Sequence, residues 1–120
     1  MLLKKMNECP ELTANDGCRL REVLHPARDP VDLPYSLAHA VVHPGERTRR
    51  HFLRQNEVYV ILSGHGRLHI GEELQLVEAG DAIRIPPDRE QWIECVGETE
   101  LKFLAIVNPP WTEDDDIRLE

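Results

Sequence analysis

Short apolar runs recur along the chain: Val41-Val42, Val58-Tyr59-Val60-Ile61-Leu62, Leu68-His69-Ile70, Leu74-Gln75-Leu76-Val77, Ala82-Ile83-Arg84-Ile85, and Leu101 through Val107. Each has the length of a β-strand and is rich in β-branched or aromatic residues. Turn-forming pairs separate them, among them Pro44-Gly45, Ser63-Gly64, Gly71-Glu72, Gly80-Asp81, Pro86-Pro87 and Val96-Gly97. In Gly17–His25 the residues Cys18, Leu20 and Leu24 share one parity, which predicts a further strand. Three prolines make Pro26–Pro34 a loop. No stretch carries an apolar stripe at helical period with caps, and Thr48–Asn56 is too polar for one. Many short strands at spacings of about 8–12 residues predict an all-β sandwich or barrel.

The length of 120 residues suits one domain. The polar residues 1–16 read as a partly ordered lead, residues 17–111 as the β domain, and residues 112–120 as a solvated acidic tail containing Glu113-Asp114-Asp115-Asp116. The net charge of −8 repels phosphate backbones, so nucleic acid is not an expected partner. No apolar run reaches the roughly 20 residues of a membrane-spanning helix. Three cysteines, an odd number without paired spacing, point to a reducing, cytoplasmic setting.

Two blocks carry chemistry. The first runs from Gly45 through His51 and Glu57 to Gly64, the second from Gly80 through Pro86 to Gln91 and Cys95. On one straight strand His51 and Glu57 would lie about 20 Å apart at about 3.3 Å per residue. A reversal at Arg54-Gln55-Asn56 removes that distance, and a hairpin there places both on neighbouring strands facing one interior. Gln91 opens another strand and shares a face with Ile93.

These blocks resemble the two motifs of the cupin superfamily. The first motif is Gly, five residues, His, one residue, His, three or four residues, Glu, six residues, Gly; Gly45, His51, Glu57 and Gly64 match it in register. The second is Gly, five residues, Pro, one residue, Gly, two residues, His, three residues, Asn; Gly80 and Pro86 match. The resemblance implies a single-domain antiparallel β-barrel (a double-stranded β-helix or jelly roll), similar to small sugar-phosphate-isomerase-like cupins, and a homodimer. It also implies a divalent ion, Mn, Fe, Ni or Zn, held by His51, Glu57 and Gln91.

The departures fall on the ligand positions themselves. Leu53 stands where the family has its second histidine, Gln91 where it has its third, and Asp88 and Cys95 where it has Gly and Asn. Leu53 cannot ligate, and a neutral amide is a weak ligand. Two readings of His51, Glu57 and Gln91 therefore stand side by side: a reduced metal site, or a metal-free buried network in which the carboxylate accepts from the imidazole and the amide. The matching functions are a metal-assisted enzyme acting on a small polar or acidic metabolite, with Glu57 as general base where no ion is present, and a non-catalytic small-molecule binding or sensing module.

Tyr59 shares the Glu57 face and is a candidate donor to a ligand, or a core aromatic. Trp92 has the opposite parity to Gln91 and is expected outside the barrel or at a dimer contact. Trp111 follows Pro109-Pro110 and is expected to clamp the tail. Arg47, Arg49 and Arg50 form a positive cluster, either solvated or a rim that attracts an anionic substrate. His39, His43, His65 and His69 are expected at the surface, Arg84 facing outward, and Cys95 buried as a small apolar residue.

Overall fold

The computed structural model describes residues 1–120, and eleven strands account for nearly all of its regular structure. They are β1 (Glu11–Thr13), β2 (Arg19–Leu24), β3 (Ser36–Val42), β4 (His51–Leu53), β5 (Asn56–Ser63), β6 (His65–Ile70), β7 (Glu73–Glu78), β8 (Ala82–Ile85), β9 (Gln91–Val96), β10 (Leu101–Asn108) and β11 (Asp116–Arg118). All pairings are antiparallel. One sheet has the order β1-β2-β3-β10-β5-β8 and the other β11-β4-β9-β6-β7.

Period-two burial shows which face each strand turns inward. Along β10 the residues Leu101, Phe103, Ala105 and Val107 are buried, and along β9 Gln91, Ile93 and Cys95. Ile61, Leu68, Ile70, Ile85 and Val77 join Leu101, Phe103 and Ile93 in the core between the sheets. Burying one such aliphatic or aromatic side chain contributes about 1.5–3 kcal/mol, so this layer fixes the positions from which the polar residues project.

Consecutive strands often change sheets. Gly64, between β5 and β6, has φ +83°, and a Cβ there would sit 2.3 Å from the carbonyl oxygen of Glu100; only glycine permits this crossing. Asp88, at the position of a family glycine, adopts φ +63° nonetheless, a conformation that Asp tolerates better than most residues.

The reversal at Arg54-Gln55 is not a hairpin. β4 lies in the second sheet and β5 in the first, so His51 and Glu57 sit on facing sheets rather than on paired neighbours. On the strands that flank β4, His51 lies opposite Gln91 of β9 and Arg118 of β11.

The chain termini depart further from expectation. The acidic run is not a free tail: Glu113–Asp115 form a 3-10 turn, and Asp116 opens β11, which pairs with β4 through Ile117 and Phe52. Glu120 is held by Arg47 at 2.7 Å and by the backbone N–H of Arg50 at 2.7 Å. Its carboxyl is pushed down to about 2, chiefly by the Arg47 hydrogen bond and then by the Arg50 backbone N–H. The N-terminal residues supply β1, on the edge of the first sheet, and the buried side chains of Cys9 and Asp16. Local polarity hides all this because each partner lies far away in sequence.

Candidate active site

His51, Glu57, Tyr59 and Gln91 converge inside the barrel, all with less than a tenth of their surface exposed. Glu57 and Tyr59 project inward from β5, His51 from β4 and Gln91 from the facing position on β9. Gln91 ties the group together. Its amide nitrogen donates to Glu57 Oε1 at 2.9 Å, and its amide oxygen accepts from the Tyr59 hydroxyl at 3.0 Å. The Tyr59 ring packs against Phe103 with centroids 4.4 Å apart, so Tyr59 is both core aromatic and hydrogen-bond donor.

His51 does not bond to Glu57. Its Nδ1 lies 2.9 Å from the Arg49 carbonyl, so that nitrogen carries the proton. Its Nε2 faces Asp16 Oδ2 at 3.8 Å. Asp16 sits in the loop before β2, where its Oδ1 accepts from the Cys18 N–H at 3.1 Å and its carbonyl accepts from the Arg49 N–H.

From the other end of the chain comes Asp116, whose two oxygens accept from Asn15 at 3.0 Å and the Trp111 indole at 3.0 Å. The Trp111 clamp is thus present. Its N–H donates to Ser36 Oγ and its carbonyl meets His25 Nε2 at 2.7 Å. Gln55, at the β4–β5 corner, donates to the Pro110 carbonyl and to Asp115, while its Oε1 is buried without a partner.

Burial dominates the electrostatics. It raises the Glu57 carboxyl to about 7; the Gln91 hydrogen bond and then His51 oppose the rise, and Asp16 and Asp116 add to it. Burial also raises the Tyr59 hydroxyl, with Glu57 the next cause, and the Cys18 thiol, with Asp16 next.

The metal expectation meets this donor set and does not fit it. Gln91 turns its N–H group, not its oxygen, toward Glu57, and its oxygen is engaged by Tyr59. Leu53, 3% exposed, fills the second histidine position with carbon. No group of three or more His, Cys, Asp or Glu side chains has the geometry to hold an ion.

Two of the three arginines in the positive cluster are paired within the chain, and Arg49 is exposed without an ion pair. Arg47 and Arg50 bind Glu120, and Arg50 also reaches Glu90 at 3.3 Å. Outside the second sheet, Trp92 stacks on His69 with centroids 4.1 Å apart, and Glu94 takes both His69 and Arg67. His43 meets Glu100 at 2.9 Å, Arg84 donates outward to Asn56, and Cys95 is buried. Asp16, Asp116 and Gln55 escape sequence reasoning. The one signal was that Asn15-Asp16-Gly17 is a turn followed by a strand.

The model of the Cupin domain matches residues 38–107. The chain belongs to the cupin family. Among its relatives, the uncharacterised protein MJ1618 of Methanocaldococcus jannaschii is 38% identical over 106 residues, covering 88% of this chain and 84% of that protein. Mannose-1-phosphate guanylyltransferase RfbM of Salmonella typhimurium is 37% identical over 82 residues, 66% of this chain, and the match spans only 17% of that enzyme. A structure of Streptomyces PAC13 with uridine superposes with a TM-score of 0.79 at 20% identity, covering 100% of this cupin and 91% of that chain. Pac13 is described as a nucleoside dehydratase. No helix of this cupin is long and apolar enough to cross a membrane.

Proposed function

We propose that this cupin binds a small polar metabolite inside its barrel and moves a proton on it with Glu57, in the manner of an isomerase or dehydratase and without a metal. The supporting observation is a buried carboxyl with one oxygen anchored by Gln91, the other free of hydrogen bonds, and a pKa raised to about 7. A base poised near the working pH is half ionised there and has the strength to take a proton and return it. Gln91 and Tyr59 orient Glu57, and His51 Nε2 is a second proton-accepting atom on the facing sheet. Pac13, with the same fold, is a precedent for water-eliminating chemistry on a nucleoside.

Two measurements test this reading. The carboxyl of 13C-labelled Glu57 is expected to titrate near pH 7; a midpoint near 4 overturns the assignment. When the protein is incubated with a metabolite extract in D2O, a metabolite is expected to gain deuterium with the wild type and not with Glu57→Gln. Retention of a metabolite without deuterium gain supports instead the non-catalytic binding module, the reading favoured by the loss of two family histidines at Leu53 and Gln91.

We propose in addition that two copies associate. The outer face of the first sheet carries Val58, Val60, Leu104, Ile106 and Leu37, each only half-buried in the single chain. Light scattering is expected to return twice the chain mass, falling to the monomer value in a Val60→Glu/Leu104→Glu variant.

A further inference from the structure

The hydrogen bonds already made inside the barrel leave a one-sided remainder. Glu57 Oε1, Gln91 Oε1, Asp16 Oδ1 and both oxygens of Asp116 have donors, and the His51 Nδ1–H is spent on the Arg49 carbonyl. The atoms without a hydrogen bond are Glu57 Oε2, Asp16 Oδ2, His51 Nε2 and Gln55 Oε1. With its proton on Nδ1, His51 presents a lone pair at Nε2, so Asp16, His51 and Gln55 offer acceptors only, and Glu57 Oε2 does so in its ionised form.

The four side chains belong to residues more than nine-tenths buried. Only Gln55 Oε1 is both unpartnered and sealed from solvent; Glu57 Oε2, Asp16 Oδ2 and His51 Nε2 lack a hydrogen bond without being sealed. Buried acceptors without donors are costly, about 1–3 kcal/mol each. Two of the three acceptors, Asp16 Oδ2 and His51 Nε2, stand 3.8 Å apart, a span suited to two adjacent hydroxyl groups.

From this geometry we infer that the metabolite is recognised as an uncharged donor of several hydrogen bonds, a compound with adjacent hydroxyls of the sugar or nucleoside class, and that Asp16 is a specificity-determining residue. The inference rests on the proposal that the barrel interior is the binding site. It narrows the expected polar or acidic ligand to the polar one, because a carboxylate or phosphate at this point would meet the Asp16 carboxylate and the His51 lone pair. The arginines Arg47 and Arg50, whose charge suits an anion, are engaged by Glu120 and Glu90.

The test uses the full chain, 15N-labelled, at pH 7, titrated in turn with methyl β-D-ribofuranoside, its 2-deoxy counterpart, ethanolamine, oxalate and inorganic phosphate. The ribofuranoside is expected to move the resonances of Asp16, His51 and Glu57. The 2-deoxy compound is expected to bind at least tenfold more weakly, and the two anions to leave these resonances in place. Asp16→Asn is expected to weaken ribofuranoside binding about tenfold with an otherwise unchanged spectrum, and Arg67→Ala, on the outer face, to leave it as in the wild type. Oxalate or phosphate binding at these residues overturns the inference while leaving the barrel a binding site. So does equal binding of the deoxy compound, or ethanolamine binding in preference to the diol. A spectrum that no probe moves overturns the inference, and the deuterium test with Glu57→Gln decides the wider proposal separately.

Discussion

Replacing Glu57 by Gln is expected to raise the melting temperature of this cupin by roughly 10 °C at pH 8 and to change it little at pH 4. In the folded protein the carboxyl holds its proton up to about 7, against an ordinary value of 4.5. Between those values the unfolded chain loses the proton while the folded chain keeps it. Stability therefore falls as pH rises through this window, and the deficit is complete above pH 7. A rise from 4.5 to about 7 corresponds to about 3 kcal/mol. The amide that replaces the carboxyl carries no titrating proton, and its oxygen still accepts from Gln91. Melting curves of both proteins between pH 4 and pH 8 check this: the gain must grow with pH, and a constant or absent gain contradicts a buried, proton-holding Glu57. A side chain that costs stability at working pH and is nonetheless present is most readily explained by chemistry.

Gln91→Leu is expected to destabilise the protein by about 2–5 kcal/mol, because it strands two partners at once. The Tyr59 hydroxyl loses its acceptor and Glu57 Oε1 loses its donor, both in the closed interior. The leucine fills a similar volume, so lost packing contributes little. Since the Gln91 bond is the largest influence opposing the rise of the Glu57 pKa, that group is also expected to titrate higher in the variant. Urea denaturation at pH 6 measures the first effect and the labelled Glu57 carboxyl the second. Gln91→Glu/Glu57→Gln, which exchanges the two ends of the bond, is expected to recover part of the loss. A Gln91→Leu protein as stable as the wild type, with Glu57 unmoved, would show that the amide does not hold the site together.

The strands were legible wherever burial alternates strictly, as along β5, β9 and β10, because local sequence records which face is buried. Motif register also put His51, Glu57 and Gln91 at one place. Two features were not legible. A corner and a hairpin use the same polar residues, so Arg54-Gln55-Asn56 could not reveal that the chain passes from one sheet to the other. Nor can a charged residue announce a partner distant in sequence. Asp16 meets His51, Asn15 meets Asp116, and Arg47 meets Glu120 only after the barrel has closed. The same fact recasts Arg47 and Arg50, which read as part of a substrate rim and serve as counterions to the chain's own last residue.

β11 has two duties. It brings Asp116 over the site, and it covers the outer edge of β4. Any movement that lifts it to admit a molecule also bares unpaired N–H and C=O groups on that edge, the usual template for strand addition by another chain. Cover of the site and protection of that edge therefore rest on the same three residues. Removing residues 116–120 is expected to leave β4 as an open edge able to accept a strand from another chain.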